Sequence, residues 1–556
     1  MRTLFSLAVS LSLALTVVPV GASAQATPRP QMRALPELTP PPDDALSRAL
    51  QTGTVSDAEY ALERALSLFA PRPVIRRFGD VTPPAPRAAT ALLRDLALRR
   101  DQLGPDDRAT ADALLTRPTD NKANDPVDVK YGDAKVARIC TTDLCVHYVT
   151  SGRHAVDPSD ANGNNRPDYV DTVVEELRDR VWKRAIDQLG FREPKRDAQS
   201  SNNGGNGKID FYLADLGAEN PPLYGYCASD DPHLHAVSGY RFSDMSAYCV
   251  FDNDYRSGQF PNQTPIKNLR VTAAHEFFHA VQFGYDLFED LWILENTAVW
   301  MEDEVYGGIN DNVQFLAASS MKHPQVPLDL GTSFFEYGNF IFWKFATDKF
   351  GTRLVKQVWN KADGAPGGPN LYSLRALRAT VEQRAPFGRT FVNFSIANFI
   401  PEKHYEKGAL YKNRVGRAPV RKRFTLGRSK RATAFQKRRL DHLASAHFTF
   451  SPGQGVKRRA RLRVEVHGPG PRSKPKATLV AFDGSRVVAK KFVKLNRRGA
   501  GTAKVPFFRT THVLLLLSNA STRYRSCFSI PTSPFSCAGQ PIDQNKSFEF
   551  KAKLIQ

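Results

Sequence analysis

Beyond residue 24 the chain has no apolar run long enough to span a bilayer, so a bundle of membrane-spanning helices is excluded. Its longest later apolar stretch, residues 513–517, has the length of a strand. Internal repeats are missing too, which excludes a solenoid or a propeller. No nucleic-acid-binding motif is present. Cysteine is scarce: there are 6 in 556 residues, and none has a CxxC partner or zinc-finger spacing, which excludes a cysteine-built zinc site. Acidic side chains almost vanish between Lys403 and Arg498, where 28 Lys and Arg face 4 Asp and Glu. That stretch carries a local +24 within a net charge of +21, which leaves −3 for everything else. The basic character therefore belongs to one C-terminal region. Such a region suits anionic cell-wall or surface polymers as partners, or is simply a well-solvated face. A nucleic-acid partner is not expected.

What is present begins with an export signal. Arg2 precedes an uncharged stretch, residues 3–24, that is rich in Leu, Val and Ala. It closes on Ala22-Ser23-Ala24, a small-x-small cleavage site. Residues 1–24 are read as a signal peptide and the chain as secreted. An oxidising destination makes the cysteines disulfide candidates. They fall in three sequence-local couples, Cys140 with Cys145, Cys227 with Cys249 and Cys527 with Cys537, although their connectivity is open.

The length predicts roughly two to four folded units. Residues 25–42 form a proline-rich linker, and 43–116 show Ala, Leu and Arg at helical spacing. Together, 25–126 read as a linker and a helical, propeptide-like region. Residues 127–400 mix strand and helix patterns. Strands are predicted over 127–139, 144–150 and 209–213, and helices over 169–189, 266–283, 291–306 and 338–349. Residues 401–440 read as a basic linker. From about residue 440 the period changes to two, at 447–450, 462–466, 478–482 and 513–517. That predicts an all-β sandwich over 441–556.

The chemistry concentrates in Val271-Thr-Ala-Ala-His-Glu-Phe-Phe-His-Ala-Val-Gln-Phe-Gly. On a helix, His275 and His279 lie one turn apart on one face and can bind one Zn²⁺. Glu276 is then placed as general base. The bare pattern also recurs in ordinary helices. Here the flanks are apolar on nearly every side, so the helix is buried and three polar groups need partners. A metzincin would carry Gly and His where this chain has Gln282 and Tyr285, which excludes that type. Asp286 is one candidate third ligand. Glu295, sixteen positions after His279 and framed by Trp292, Leu294, Val299 and Trp300, is the better one. Glu302, seven further on, lies on the same helical face, where a carboxylate can orient a ligand histidine.

HExxH followed by Trp-x-x-Glu-x-x-Ala on a second helix resembles the gluzincin zinc metallopeptidases, a group that includes thermolysin and the alanyl aminopeptidases. More closely, residues 127–400 resemble a family of secreted bacterial metalloendopeptidases inferred mainly from genomes. Asp168-Tyr-Val-Asp, Leu213-Ala-Asp-Leu, Ser246-Ala-Tyr-Cys and Tyr337-Gly-x-Phe-x-Phe-Trp carry that likeness. The resemblance implies an α+β zincin-like catalytic domain acting on protein or peptide substrates. It implies His275, His279 and Glu295 as zinc ligands, Glu276 as base and Tyr337 as hydroxyl donor to the oxyanion. Two departures stand out. Asn296 occupies a position that is usually Gly, and the interval from His279 to Glu295 is shorter than in thermolysin.

A second candidate metal site is the loop Asp160, Asn162, Asn164, Arg166, Asp168, Asp171. Its oxygens follow EF-hand spacing for Ca²⁺, with the Arg166 carbonyl at the seventh position and Asp171 one carbon shorter than the usual Glu. An Asx-rich turn without metal is the alternative. The expected function is thus a secreted zinc endopeptidase. The alternatives are a non-catalytic surface-binding protein that uses the basic β-region, and a zinc esterase or amidase on the same scaffold.

Overall fold

The computed structural model describes residue 39 and residues 42–120, 129–219, 221–235 and 240–556. The expected signal peptide, and the linker apart from residues 39 and 42, lie outside the described residues. The chain is mixed α+β, with helices first and β-sheets last.

Among the described residues, five α-helices come first: α1 (Ala45–Gln51), α2 (Asp57–Phe69), α3 (Pro71–Phe78), α4 (Ala89–Arg99) and α5 (Pro105–Leu114). A reciprocal cap starts α2: the Ser56 N–H donates to Glu59 Oε2 at 2.7 Å and the Glu59 N–H to Ser56 Oγ at 3.2 Å. Every residue of α4 is buried, the polar Thr90, Arg94, Asp95 and Arg99 included.

A five-stranded sheet follows, built from β1 (Val136–Cys140), β2 (Leu144–Val149), β3 (Ile209–Ala214), β4 (Gly225–Ala228) and β5 (Tyr248–Asp252). Its order is β1-β2-β3-β5-β4, so β4 is an edge. The first strand begins at Val136, later than expected, because Gly132 sits at φ 56° in a turn just before it. The inner strands are buried on both faces, and residue parity decides which layer each side chain meets. Tyr212, Tyr226, Tyr248 and Val250 pack against α2, α4 and α5. Phe211, Leu213 and Phe251 pack on the opposite side, with Phe277 of the helix that carries the histidines.

Past α5, Arg117 is fully buried and ion-paired with Asp197 at 2.8 Å, Asp210 at 2.6 Å and Asp230 at 2.7 Å. His147 bonds the second Asp210 oxygen at 2.8 Å. A guanidinium buried this deeply needs such a ring of carboxylates. It anchors the end of the N-terminal helical region to the sheet.

The expected 169–189 helix is α6 (Asp168–Glu175), continued with π-type pitch over Glu176–Gln188. The remaining helices are α7 (Pro265–Asp286), α8 (Leu291–Tyr306), α9 (Phe335–Gly338), α10 (Phe340–Phe350), α11 (Arg353–Ala362), α12 (Ser373–Val381), α13 (Phe387–Phe399) and α14 (Gly408–Val415).

The C-terminal part packs two sheets face to face. One has the order β11 (Arg486–Phe492), β10 (Pro475–Asp483), β13 (His512–Asn519), β8 (Ala444–Pro452), β6 (Val420–Leu426). The other has the order β12 (Ala500–Pro506), β9 (Arg461–His467), β16 (Lys546–Ile555), β7 (Gln436–Leu440). A short pair, β14 (Tyr524–Arg525) and β15 (Gln540–Pro541), stands apart. The span 401–440, expected as a linker, holds α14, β6 and β7. Lys and Arg on the exposed face of β6 hide the alternation that Phe424 and Leu426 keep on its buried face. Both edges of the larger sheet are basic, β6 with Arg421, Lys422 and Arg423 and β11 with Lys490 and Lys491, which discourages edge-to-edge pairing. The three local cysteine couples are disulfides: Cys140–Cys145, Cys227–Cys249 and Cys527–Cys537.

The outer face of the larger sheet is covered by α13. His447 is buried there against the Phe399 ring, with Nε2 donating to the Ser395 carbonyl at 3.1 Å. Burial lowers its pKa from 6.5 to about 4, although the Ser395 bond opposes the shift. The unfolded imidazole therefore takes up a proton that the buried one refuses. Its stabilisation is complete above pH 6.5 and fades as pH falls toward 4, by roughly 3 kcal/mol. His447→Gln should lose markedly less stability between pH 7 and pH 4 than the parent chain, read from urea midpoints at both pH values. Equal losses would remove His447 from the acid sensitivity.

Candidate metal centre

Two helices build the centre. Pro265 at the first position of α7, after Thr264, presets the entry, and no glycine interrupts the helix before Gly284. From Val271 to Asp286 every residue of α7 is buried. Leu291 to Glu302 of α8 are buried as well. These helices pack side by side. They bring His275, His279 and Glu295 together with one ligand atom from each within 4.8 Å of the others.

The geometry leaves three atoms facing one another without a hydrogen bond. His275 Nε2 lies 3.3 Å and His279 Nε2 3.6 Å from Glu295 Oε2. None of the three has a hydrogen-bond partner among the described residues, and all three side chains are buried. Leaving such atoms unmet costs about 1–3 kcal/mol each. The opposite ring nitrogens are fully engaged. His275 Nδ1 donates to Glu302 Oε1 at 2.7 Å, and His279 Nδ1 to Gln282 Oε1 at 2.7 Å. Gln282 is held in turn, its amide donating to the Leu294 carbonyl and to Thr297 Oγ1 at 2.9 Å each. A donating Nδ1–H leaves the Nε2 lone pair pointing inward, as a ligand histidine requires. Two imidazoles and a carboxylate are a donor set that suits zinc with an open fourth position.

Charge points the same way. Burial works against the His275 imidazolium, but Glu295 and Glu302 outweigh it and hold its pKa up at about 10. Burial pushes Glu295 up, yet His279 and His275 bring it down to about 2. Burial, helped by the Asp311 charge, raises Glu302 despite its bond to His275. The pocket is rich in carboxylates and takes positive charge, whether a proton or a cation.

The other expected residues fall into place around this core. Glu276 Oε2 accepts from Thr90 Oγ1 at 2.8 Å. The Tyr337 ring lies 6.5 Å from the His275 ring, and its hydroxyl donates to the Arg87 carbonyl at 3.1 Å. Gly338 fits Tyr337 into position: a Cβ there would stand 2.0 Å from the Ala318 carbonyl oxygen. Asp286, the other candidate ligand, lies outside the cluster; its Oδ1 accepts the Phe288 N–H at 2.9 Å. Asn296 is fully buried with both amide atoms unpartnered among the described residues. Gln282, Thr90 and Arg87 are contacts that sequence reasoning missed. Only Gln282 had a signal, its position three residues after His279 on the same face.

The candidate calcium loop is exposed, and its oxygens are used internally. Asp160 accepts the N–H groups of Asn164 and Asn165 at 3.0 and 2.7 Å, and Asp168 accepts that of Ala161 at 2.9 Å. Asp171 takes the amides of Asn162 and Asn164, and the Arg166 guanidinium lies 3.0 Å from it. These bonds shape an Asx-rich turn, with Asn165 at φ 63°, on the residues that carry the EF-hand spacing.

No family model matches the chain, and no curated protein matches it. Solved structures show only weak likeness. A periplasmic inhibitor of g-type lysozyme from Aeromonas hydrophila shares 10% identity over 24% of this chain and 97% of its own, at a TM-score of 0.15. The pre-peptidase C-terminal domain of a Bacillus anthracis collagenase shares 12% over 25% and 97%, at 0.14. A family GH115 4-O-methyl-α-glucuronidase shares 10% over 66% and 54%, at 0.14. Scores this low carry no argument about fold or function.

Gln282→Ala and Glu302→Ala should each weaken Zn²⁺ binding by about 10- to 100-fold by freeing the histidine that each holds. Competition against a chromophoric chelator measures this. Unchanged affinity in both variants would mean that neither contact orients a ligand.

Proposed function

We propose that this chain is an exported, zinc-dependent endopeptidase of the gluzincin type, with residues 127–400 as its catalytic part. One observation carries the reading: buried ligand atoms of His275, His279 and Glu295 lie within 4.8 Å of one another without a hydrogen-bond partner among the described residues, next to a buried glutamate. The three disulfides suit an oxidising compartment, and no described helix is long and apolar enough to cross a membrane.

His275, His279 and Glu295 would hold the ion. Zinc bound there supplies Lewis-acid polarisation of a carbonyl and acidification of a water. Glu276 takes the proton of the attacking water on its carboxylate and passes it to the departing amide nitrogen. The Tyr337 hydroxyl, already bonded to a peptide carbonyl, donates to the oxygen on which charge develops. Gln282 and Glu302 keep both imidazoles in the ligand tautomer. The basic edge strands β6 and β11 give the molecule an accessory face toward anionic surface polymers.

Protein purified without chelators should contain about one zinc per chain by mass spectrometry, and Glu295→Ala should lose most of it. Glu276→Gln should keep the metal and lose at least about 10²-fold in kcat on a casein or mixed-peptide substrate. A well-folded parent chain without zinc, or undiminished hydrolysis by Glu276→Gln, would sink the reading.

A further inference from the structure

The N-terminal helical region does more than cover the sheet, because one short stretch of it runs through the candidate centre. Five polar contacts and two aromatic rings fix residues 86–90 there. The Arg87 carbonyl accepts from the Tyr337 hydroxyl. Thr90 Oγ1 donates to Glu276, and the same oxygen accepts the Cys227 N–H at 2.9 Å. Cys227 lies on β4, whose outer edge has no neighbouring strand among the described residues, so Thr90 takes a backbone group that an extended peptide would otherwise pair with. The Arg87 guanidinium reaches Asp311 at 2.8 Å and Glu302 at 3.3 Å. It lies between the rings of Tyr224 and Phe315, 5.4 and 5.2 Å from their centres.

These contacts match what a peptide substrate needs. A carbonyl lies on the candidate oxyanion donor, the candidate base is occupied, and an edge strand is engaged. One side chain enters a pocket with two carboxylates and two aromatic faces. The Asp311 carboxylate is fixed from outside as well, by the amides of Gln263 at 3.3 Å and Gln314 at 2.8 Å. Burial works against the Arg87 charge, but Asp311 and Glu302 outweigh it and raise its pKa. The pocket is therefore built for a permanent, planar cation.

We propose that residues 86–90 occupy the substrate cleft as an internal, substrate-like ligand, and that the pocket formed by Glu302, Asp311, Tyr224 and Phe315 is the subsite for an arginine side chain of the peptide substrate. This rests on the peptidase reading, and it makes the described chain self-blocked. Substrate enters only when the 86–90 stretch leaves.

The test uses the full chain and a fluorescein-labelled peptide copying residues 82–91, with a copy carrying Ala in place of the Arg as control. Arg87→Ala empties the pocket of its own occupant. That variant should bind the arginine peptide at least tenfold tighter than the parent chain does, and at least tenfold tighter than it binds the alanine copy, by fluorescence anisotropy. Amide hydrogens of residues 86–92 should exchange faster in the variant. Equal binding of the two peptides, or no binding by a variant with an unchanged circular dichroism spectrum, overturns the proposal. Should Arg87→Ala fail to fold, Thr90→Val removes only the hydroxyl. It must show the same order of peptides with a smaller rise, and equal binding there overturns the proposal equally. Arginine-selective binding without any cleavage would leave this inference standing and sink the peptidase reading. Cleavage without preference for arginine would do the reverse.

Discussion

The architecture turns on burying two imidazoles and three carboxylates between two otherwise apolar helices. Removing charge from water is costly, and a protein tolerates it only where each group meets a partner. Along α7 and α8 almost every partner is supplied internally. Glu302 and Gln282 hold the outer ring nitrogens, and Thr297 and the Leu294 carbonyl hold Gln282. Among the atoms left unmet is one on each of His275, His279 and Glu295, and these ligand atoms lie within 4.8 Å of one another. The sheet, the disulfide beside β4 and the tyrosine turn after α8 then act as walls around that point.

Two further contacts around that point come from far away in sequence. Arg87 and Glu302 are 215 residues apart, and Thr90 and Glu276 are 186 apart. The loop entropy of such contacts rises slowly with separation, so long spacing is no bar to them once both ends are packed. The N-terminal helices are packed: α4 is buried along its length against β4 and the neighbouring sheet face. The helical region is therefore part of the core and not a loose leader.

Local pattern explains what could be foreseen. The span of α8 matches the expected helix residue for residue, and α7 extends its expected helix by one residue at its start and three at its end. The His275, Glu276 and His279 spacing, and the two-residue period of β8, β9, β10 and β13, are properties of a short window. The misses share another cause. Strand β6 was hidden because its exposed face is basic, and an alternation rule sees only interruptions there. Arg117 reads as one more surface charge until Asp197, Asp210 and Asp230 converge on it. Thr90 and Arg87 carry no signal beyond being ordinary residues of a helical segment. Their partners are set by the tertiary fold, which a single sequence read locally does not display.

The buried Arg117 has a consequence for the life of the chain after synthesis. It closes the N-terminal helical region ahead of β1, and its three aspartates belong to the part beyond that joint. A proteolytic cut in that joint would therefore not free the N-terminal piece. The two fragments would stay together as a non-covalent pair, held by the guanidinium and by the tyrosine-rich sheet face. Release would need the clamp itself to open, or a second cut closer to Arg87. Nicking and release would then be two separately timed events.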